Sequence, residues 1–241
     1  MMSILFASDL DNTLIYSYKS AQNEDVCVEF KNAEKLSFMP PKTYLLLKEV
    51  VQRCIFVPVT TRSLEQYRRI DLGVKPKYAL AANGALLLVD GEIDKKWALE
   101  TEQMLNFKLP NLTESYLLFD IRYVDSFFIA AKSEQPQSAL EYLKNIIDER
   151  KFTLYAVKNK IYVIPNNLSK GIAVKRLKKR LQTELVICAG DSEIDISMLE
   201  IADFALYPKT LNIAHRNSHV FDNDFFTVKA LQTAYLYINK K

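Results

Sequence analysis

Two aspartates two positions apart, Asp9 and Asp11, stand at the exit of a short apolar run in "SILFASDLDNTLIYS", with no lysine or arginine beside them in the chain. Other groups able to act on an anion recur at the ends of short apolar runs or at a helix start. They are Thr60, Thr61 and Arg62 in "VTTRS", Asn83 and Gly84 after "KYALAA", Lys170 in "NLSKG", and Asp191 and Asp195 in "GDSEID". Carboxylates brought together without basic partners repel one another, and a divalent cation relieves that repulsion. Asp9, Asp191, a backbone carbonyl and waters make an oxygen shell suited to Mg²⁺, a hard ion that keeps part of its water and accepts phosphate oxygens. The chemistry these residue types suggest is therefore carried out on a phosphate. A lone Asp-x-Asp is equally the polar turn that follows a strand, so the functional reading rests on all of these groups meeting.

Meeting requires that the elements bearing them belong to one sheet. Residues 3 to 8 read as a strand, Thr43 to Arg53 as a helix with Tyr44, Leu47 and Val51 on one face, and Ile55 to Val59 as a second strand. Ser63 is placed to cap a helix over "SLEQYRRI", and "KYALAA" reads as a third strand. The pattern returns near the C-terminus: Ser169 caps a helix with Val174, Leu177 and Leu181 on one face, then come a strand "LVICAG", a short helix "DISMLEIA", a strand "FALY" and a closing helix from Thr227 to Ile238. Alternating strands and helices predict an α/β fold, a doubly wound Rossmann-like parallel sheet. In such sheets ligands sit beyond the carboxyl ends of the strands, where every group named above falls.

The middle of the chain breaks this pattern. A hairpin around Asp90-Gly91, then "FDIRYVDSFFIAAK", a helix-like "QSALEYLKNIIDER" and a second hairpin turning at Lys158-Asn159 predict an inserted antiparallel α+β domain. Its expected borders divide the chain into a core of residues 1–84 and 165–241 and an insertion of residues 85–164. Residues 26 to 39 read as a further small hairpin just after the aspartate pair.

Composition excludes several classes. Lys plus Arg number 32 against 29 Asp plus Glu, too even a balance to suggest a nucleic-acid or membrane-surface partner. No apolar run approaches the roughly 20 residues of a membrane helix, and no basic, apolar leader pattern opens the chain. Cys27, Cys54 and Cys188 lie far apart with no metal-ligand spacing, which fits reduced thiols and a cytoplasmic protein. The basic run "KRLKKR" is read as the solvated face of a helix, Trp97 as part of the inserted domain's core, and His215 and His219 as structural. No feature sets an oligomeric state.

In order and spacing, "DLDNT", "VTTRS", "SKG" and "GDSEID" resemble the four motifs of the haloacid dehalogenase superfamily of phosphotransferases. The insertion between the second and third motifs is similar to the type IIB cap of the Cof-type and sucrose-phosphatase branch. The resemblance spans essentially the whole chain. It implies a Mg²⁺-dependent phosphatase for a small phosphorylated metabolite, a sugar phosphate in the first instance, in which Asp9 attacks phosphorus and forms an aspartyl-phosphate. Asp11 would protonate the leaving oxygen and then activate water, which calls for a raised pKa, while its backbone carbonyl reaches the metal. Thr60, Thr61, Arg62, Asn83 and Lys170 would hold the phosphoryl group. Asp191 would bind the metal directly, and Asp195 through water or as a supporting group that also orients Lys170.

Two positions depart from that pattern: Thr61 stands where the branch commonly has Gly, and Ile194 where it commonly has Asn. Two other functions share the parts. A phosphomutase of the phosphomannomutase type needs a second phosphate site in its cap, and residues 85–164 hold 10 basic against 12 acidic residues, with Arg122 and Arg150 the only arginines. A non-catalytic phosphate-binding or signalling module would have no use for Asp11 so close to Asp9.

Overall fold

The strand that carries the aspartate pair, Ile4–Ser8 (β1), is apolar on both faces, so it can be satisfied only inside a sheet covered on both sides. The computed structural model, which describes residues 2–106, 108–222 and 226–241, places it there. After β1 the chain forms Tyr16–Ser17 (β2), Val26–Lys31 (β3), Glu34–Met39 (β4), Pro41–Val50 (α1), Ile55–Pro58 (β5), Leu64–Arg68 (α2), Tyr78–Ala81 (β6), Leu86–Val89 (β7), Glu92–Ile93 (β8) and Lys95–Leu105 (α3). Phe119–Val124 (β9), Phe128–Lys132 (β10), Pro136–Ile146 (α4), Phe152–Val157 (β11) and Lys160–Pro165 (β12) follow. The chain closes with Lys170–Leu181 (α5), Leu185–Ala189 (β13), Ile196–Glu200 (α6), Phe204–Pro208 (β14), Ser218–Phe221 (β15) and Phe226–Ile238 (α7).

The central sheet has five parallel strands in the order β15-β14-β13-β1-β5. Alternation along β1 divides its side chains between two cores. Ile4 and Phe6 pack with Leu47 and Val50 of α1 and with Leu231 and Ala234 of α7. Leu5 and Ala7 face Val174 and Leu177 of α5 and Met198 and Leu199 of α6. Helices thus cover both faces, which makes the core a doubly wound α/β sandwich.

Pro58 pairs with Ser8 on the edge strand β5 and costs the ladder no bond to β1, because the next N–H, that of Val59, donates to the Ser8 carbonyl at 2.8 Å. Beyond it β6 meets the end of β5 at the parallel Val59–Leu80 bridge, where the Thr60 N–H donates to the Leu80 carbonyl, and takes β7 as its antiparallel partner, so "KYALAA" borders the parallel sheet rather than extending it.

A second sheet, four antiparallel strands in the order β11-β12-β10-β9, lies over the carboxyl edge of the first. Ile129, Ile161 and Val163 on one side pack against Ala139 and Leu143 of α4. On the other side Phe128, Tyr162 and Ile164 meet Ala82, Ala85 and Ile194 of the core. Ile194 therefore fills an apolar contact where an amide was expected.

α3 departs from the sequence reading. Residues 95–99, read as part of the hairpin around Asp90-Gly91, open α3, which is capped by Asp94, whose carboxylate accepts from the Trp97 N–H at 2.8 Å. Trp97 packs with Leu5, Val57 and Leu177 of the parallel core, and Arg176 stacks on its ring at 3.8 Å. Leu87 joins the same cluster. We place the start of the inserted domain after Leu105 on these contacts, in preference to Gly84. The basic run in α5 is partly spent on acids: Arg176 pairs with Glu100, Lys178 with Asp203 and Arg180 with Asp94.

Candidate active site

β1 and β13 are neighbours in register, with Ser8 opposite Ala189, so Asp9 and the Gly190-Asp191 loop leave the sheet side by side. The Asp9 N–H donates to the Ala189 carbonyl at 2.9 Å. Lys170 opens α5, whose N-cap Ser169 accepts from the Ile172 N–H. Its ammonium is buried and lies 2.5 Å from Asp9 Oδ1 and 2.6 Å from Asp195 Oδ1. The helix reaches this depth because residue 171 is Gly: a Cβ there would sit 2.1 Å from the Ser197 carbonyl oxygen. The other Asp195 oxygen accepts from the Asp191 N–H (3.1 Å), the Ser192 N–H (2.9 Å) and the Ser192 hydroxyl (2.9 Å). Thr13 donates to Asp191 Oδ1 at 3.2 Å.

Three carboxylates share one ammonium here, and the charge balance shows in their acidities. Burial raises the Asp9 carboxyl well above its ordinary value; Lys170 opposes this, and Asp195, Asp191 and Asp11 add to it. Burial and the nearby Asp195 push Asp191 up to about 7. Burial pulls the Lys170 ammonium down, but Asp195 and Asp9 more than reverse it and hold the group above the usual lysine range. Carboxylate oxygens of Asp9, Asp191 and Asp195 lie within 4.8 Å of one another. Such a cluster, short of positive charge and built of oxygen donors, fits a hard divalent cation. Asp195 has both oxygens committed to Lys170 and its own loop, which leaves Asp9 and Asp191 as the pair able to ligate one.

Asp11 is held differently. Arg62 Nε donates to Asp11 Oδ2 and Nη2 to Asp11 Oδ1, both at 2.8 Å, a two-pronged clamp. Arg62 Nη1 donates to Glu29 Oε2 at 2.7 Å, and Arg69 meets the other Glu29 oxygen at 3.2 Å. Ser37 donates to Glu29 and accepts from Arg62. Burial raises the Asp11 carboxyl, but the Arg62 hydrogen bonds and charge, with Lys160 and Lys170 behind them, reverse this and hold it below the carboxylate range. That is the opposite of the raised pKa expected of a proton donor. Arg62, expected on the phosphoryl group, spends its side-chain donors on Asp11, Glu29 and Ser37 instead.

Thr60 is fully buried; its N–H donates to Leu80 and its hydroxyl oxygen accepts from the Arg62 N–H at 3.1 Å. Asn83 is buried in a left-handed conformation and donates through Nδ2 to the Leu168 carbonyl at 3.4 Å, a tie to the segment leading into Lys170. Thr61 lies beside Tyr162 of the upper sheet. A cavity of about 720 Å³ separates the two sheets and is lined by Asp11, Thr61, Arg62, Arg122, Lys160 and Tyr162 among others. Glu29, Ser37, Arg69 and Thr13 escaped the sequence reading. A lone carboxylate inside "VCVEFK" was the available signal, but a register shift around Glu29 in the β3–β4 pairing breaks the alternation that would have marked it as inward.

A sequence profile of haloacid dehalogenase-like hydrolases matches residues 94–207. The chain is 26% identical over 206 residues to phosphoglycolate phosphatase 2 of Saccharolobus solfataricus, covering 83% of this chain and 77% of that protein. It is 27% identical over 172 residues to phosphoglycolate phosphatase of Sulfurisphaera tokodaii, covering 66% and 71%. Among solved structures, sucrose-phosphatase from Synechocystis sp. PCC6803 in complex with sucrose and phosphate shares the fold, with a TM-score of 0.66, 17% identity and 99% of each chain covered. Over residues 94–207 the chain is thus similar to the haloacid dehalogenase-like hydrolases, and the relatives that it resembles over about two thirds or more of its length are phosphatases, which makes it a phosphoric monoester hydrolase.

Proposed function

We propose that this chain is a Mg²⁺-dependent phosphatase that hydrolyses a small phosphomonoester through an aspartyl-phosphate on Asp9. The observation that carries the reading is the buried Asp9–Lys170 pair at 2.5 Å, two residues from Asp11, which lines the cavity under the second sheet. Lys170 offsets negative charge on Asp9 and on an incoming phosphoryl group, so that one anion can approach the other. Asp9 and Asp191 would hold a Mg²⁺ ion, which when bound would add positive charge for the phosphoryl oxygens.

In the first half-reaction an Asp9 carboxylate oxygen bonds to phosphorus as the bond from phosphorus to the ester oxygen breaks, and Asp11 gives that oxygen a proton. In the second, Asp11 takes a proton from water, whose oxygen attacks phosphorus and releases Asp9 and inorganic phosphate. Because Arg62 covers both Asp11 oxygens, this acid–base work requires Arg62 to turn toward the substrate, and the cavity leaves it room to do so. Thr60, Thr61 and Asn83 border the position the phosphoryl group takes. The two curated relatives are named for phosphoglycolate and the structural neighbour for a sugar phosphate ester, so small metabolites of either kind are the substrates to test.

Hydrolysis of para-nitrophenyl phosphate provides the direct check. We expect turnover with Mg²⁺, loss of more than a thousandfold with EDTA, and the same loss in Asp9→Asn. Activity that survives both the chelator and the substitution would defeat the mechanism.

A further inference from the structure

Lys160 stands at the tip of the upper sheet, and the pleat decides which way it faces. Ile161 and Val163 on the same strand point into the α4 cluster, which leaves Lys160, Tyr162 and Ile164 on the face turned toward the core. Lys160 lines the cavity together with Asp11, Arg62 and Arg122. The tip is held in place by Lys158, whose ammonium donates to Asn12 Oδ1 at 3.3 Å, in the loop just after Asp11.

Charge pairing around that cavity leaves Lys160 over. Glu29 is taken by Arg62 and Arg69, Asp11 by Arg62, and Glu65 by Arg69. Asp125 accepts the Leu64 N–H through Oδ2, and Asp120 holds both Arg122 and Lys132. Among the described residues no carboxylate pairs with Lys160, yet its charge reaches Asp11 and helps to hold that carboxyl low. The phosphatase reading already assigns Lys170, paired with Asp9, to the phosphoryl group.

We infer that Lys160 receives a second anionic group on the substrate, a carboxylate or a second phosphate carried by the leaving group, so that the enzyme selects phosphorylated acids or bisphosphates over phosphorylated neutral alcohols. The inference rests on the phosphatase reading above. Its contribution is to binding held alike in ground and transition states, and it therefore acts on KM.

Matched substrates test it. 3-Phosphoglycerate and glycerol 3-phosphate differ in carboxylate against hydroxymethyl, and fructose 1,6-bisphosphate against fructose 6-phosphate tests a second phosphate. We expect kcat/KM to favour the doubly charged member of one pair by about tenfold or more, the preferred pair naming the anion, with the difference in KM. Lys160→Met should erase most of that preference and Lys160→Arg should restore it, while Lys144→Met on the exposed side of α4 leaves it intact. Hydrolysis of para-nitrophenyl phosphate with equal use of both members in both pairs, or a preference that survives Lys160→Met, overturns the inference and leaves the phosphatase reading standing. Absence of phosphate release from every compound, para-nitrophenyl phosphate included, overturns both.

Discussion

Glu29 is a carboxylate with 2% of its side chain exposed, set between two guanidiniums of which Arg62 is 15% and Arg69 20% exposed. Burial raises its pKa, but Arg62, the Ser37 hydroxyl and Arg69 hold it below the usual glutamate range. Removing one member of a buried pair leaves uncompensated charge, which costs about 3–5 kcal/mol in a dry site and less where the arginines are partly wet. Glu29→Gln is therefore expected to cost about 2 kcal/mol, a fall in melting temperature of roughly 4–8 °C. Glu65→Gln should change little, because Glu65 is 85% exposed and its pair with Arg69 is screened by solvent. A group with a depressed folded pKa stabilises above its unfolded value and ceases to do so as pH falls through the folded one. The gap between wild type and Glu29→Gln should thus be full near neutral pH and close below about pH 4. Equal melting of the two at pH 7 would remove the network from any account of the site.

At the level of elements, the site depends on how closely α5 approaches the sheet and the loop before α6. Gly171 is the contact point, and a methyl there meets the Ser197 carbonyl, a backbone atom that cannot step aside. Gly171→Ala is expected to cost about 1–3 kcal/mol through overpacking and to lower kcat at least tenfold, because Lys170 is the adjacent residue. Gly91, in the β7–β8 turn, supplies the contrast: its φ of +85° disfavours any side chain, but nothing lies within 4 Å of an added Cβ. Gly91→Ala should cost about 1 kcal/mol and leave kcat unchanged. Thermal melts beside steady-state kinetics separate the two, and a Gly171→Ala enzyme with normal kcat would show that Lys170 does not depend on that approach.

Across the whole molecule, three carboxylates around one ammonium are a standing source of repulsion that a cation would relieve. Ligand binding to the folded state alone stabilises by about 2.7 kcal/mol at a hundredfold excess over Kd, so saturating Mg²⁺ should raise the melting temperature by roughly 5–10 °C. Asp191→Asn removes one of the crowded charges. Without metal it should melt at or above the wild type, and it should not respond to Mg²⁺. A wild type indifferent to Mg²⁺ in this measurement would argue against a cation at Asp9 and Asp191. The two sheets meet through Phe128, Tyr162 and Ile164 against Ala82 and Ile194, so the cavity over the aspartates is bounded by apolar contact as well as by charge.

Local chemistry set much of this in the sequence. Period-two and period-3.6 patterns marked β1, β5, β13, α1 and α5, Ser63 and Ser169 marked two helix starts that the structure caps as expected, and the acidic, hydroxyl and lysine groups fell at strand ends. β15 and α3 were not legible, the first because a four-residue edge strand carries too little pattern, the second because buried Thr101 satisfies its hydroxyl on the Trp97 carbonyl within its own helix, where the sequence shows only a polar residue. The partners of the opening aspartates were beyond local reading altogether. Asp9 meets Lys170 from 161 residues away, and Asp11 meets Arg62 from 51 residues away. Residue types and spacing determined that anions and cations would collect at one edge of a sheet. Which cation faces which carboxylate was decided by strand register, a bulge at Glu29 and the glycine that lets α5 descend, all of which are properties of the assembled fold.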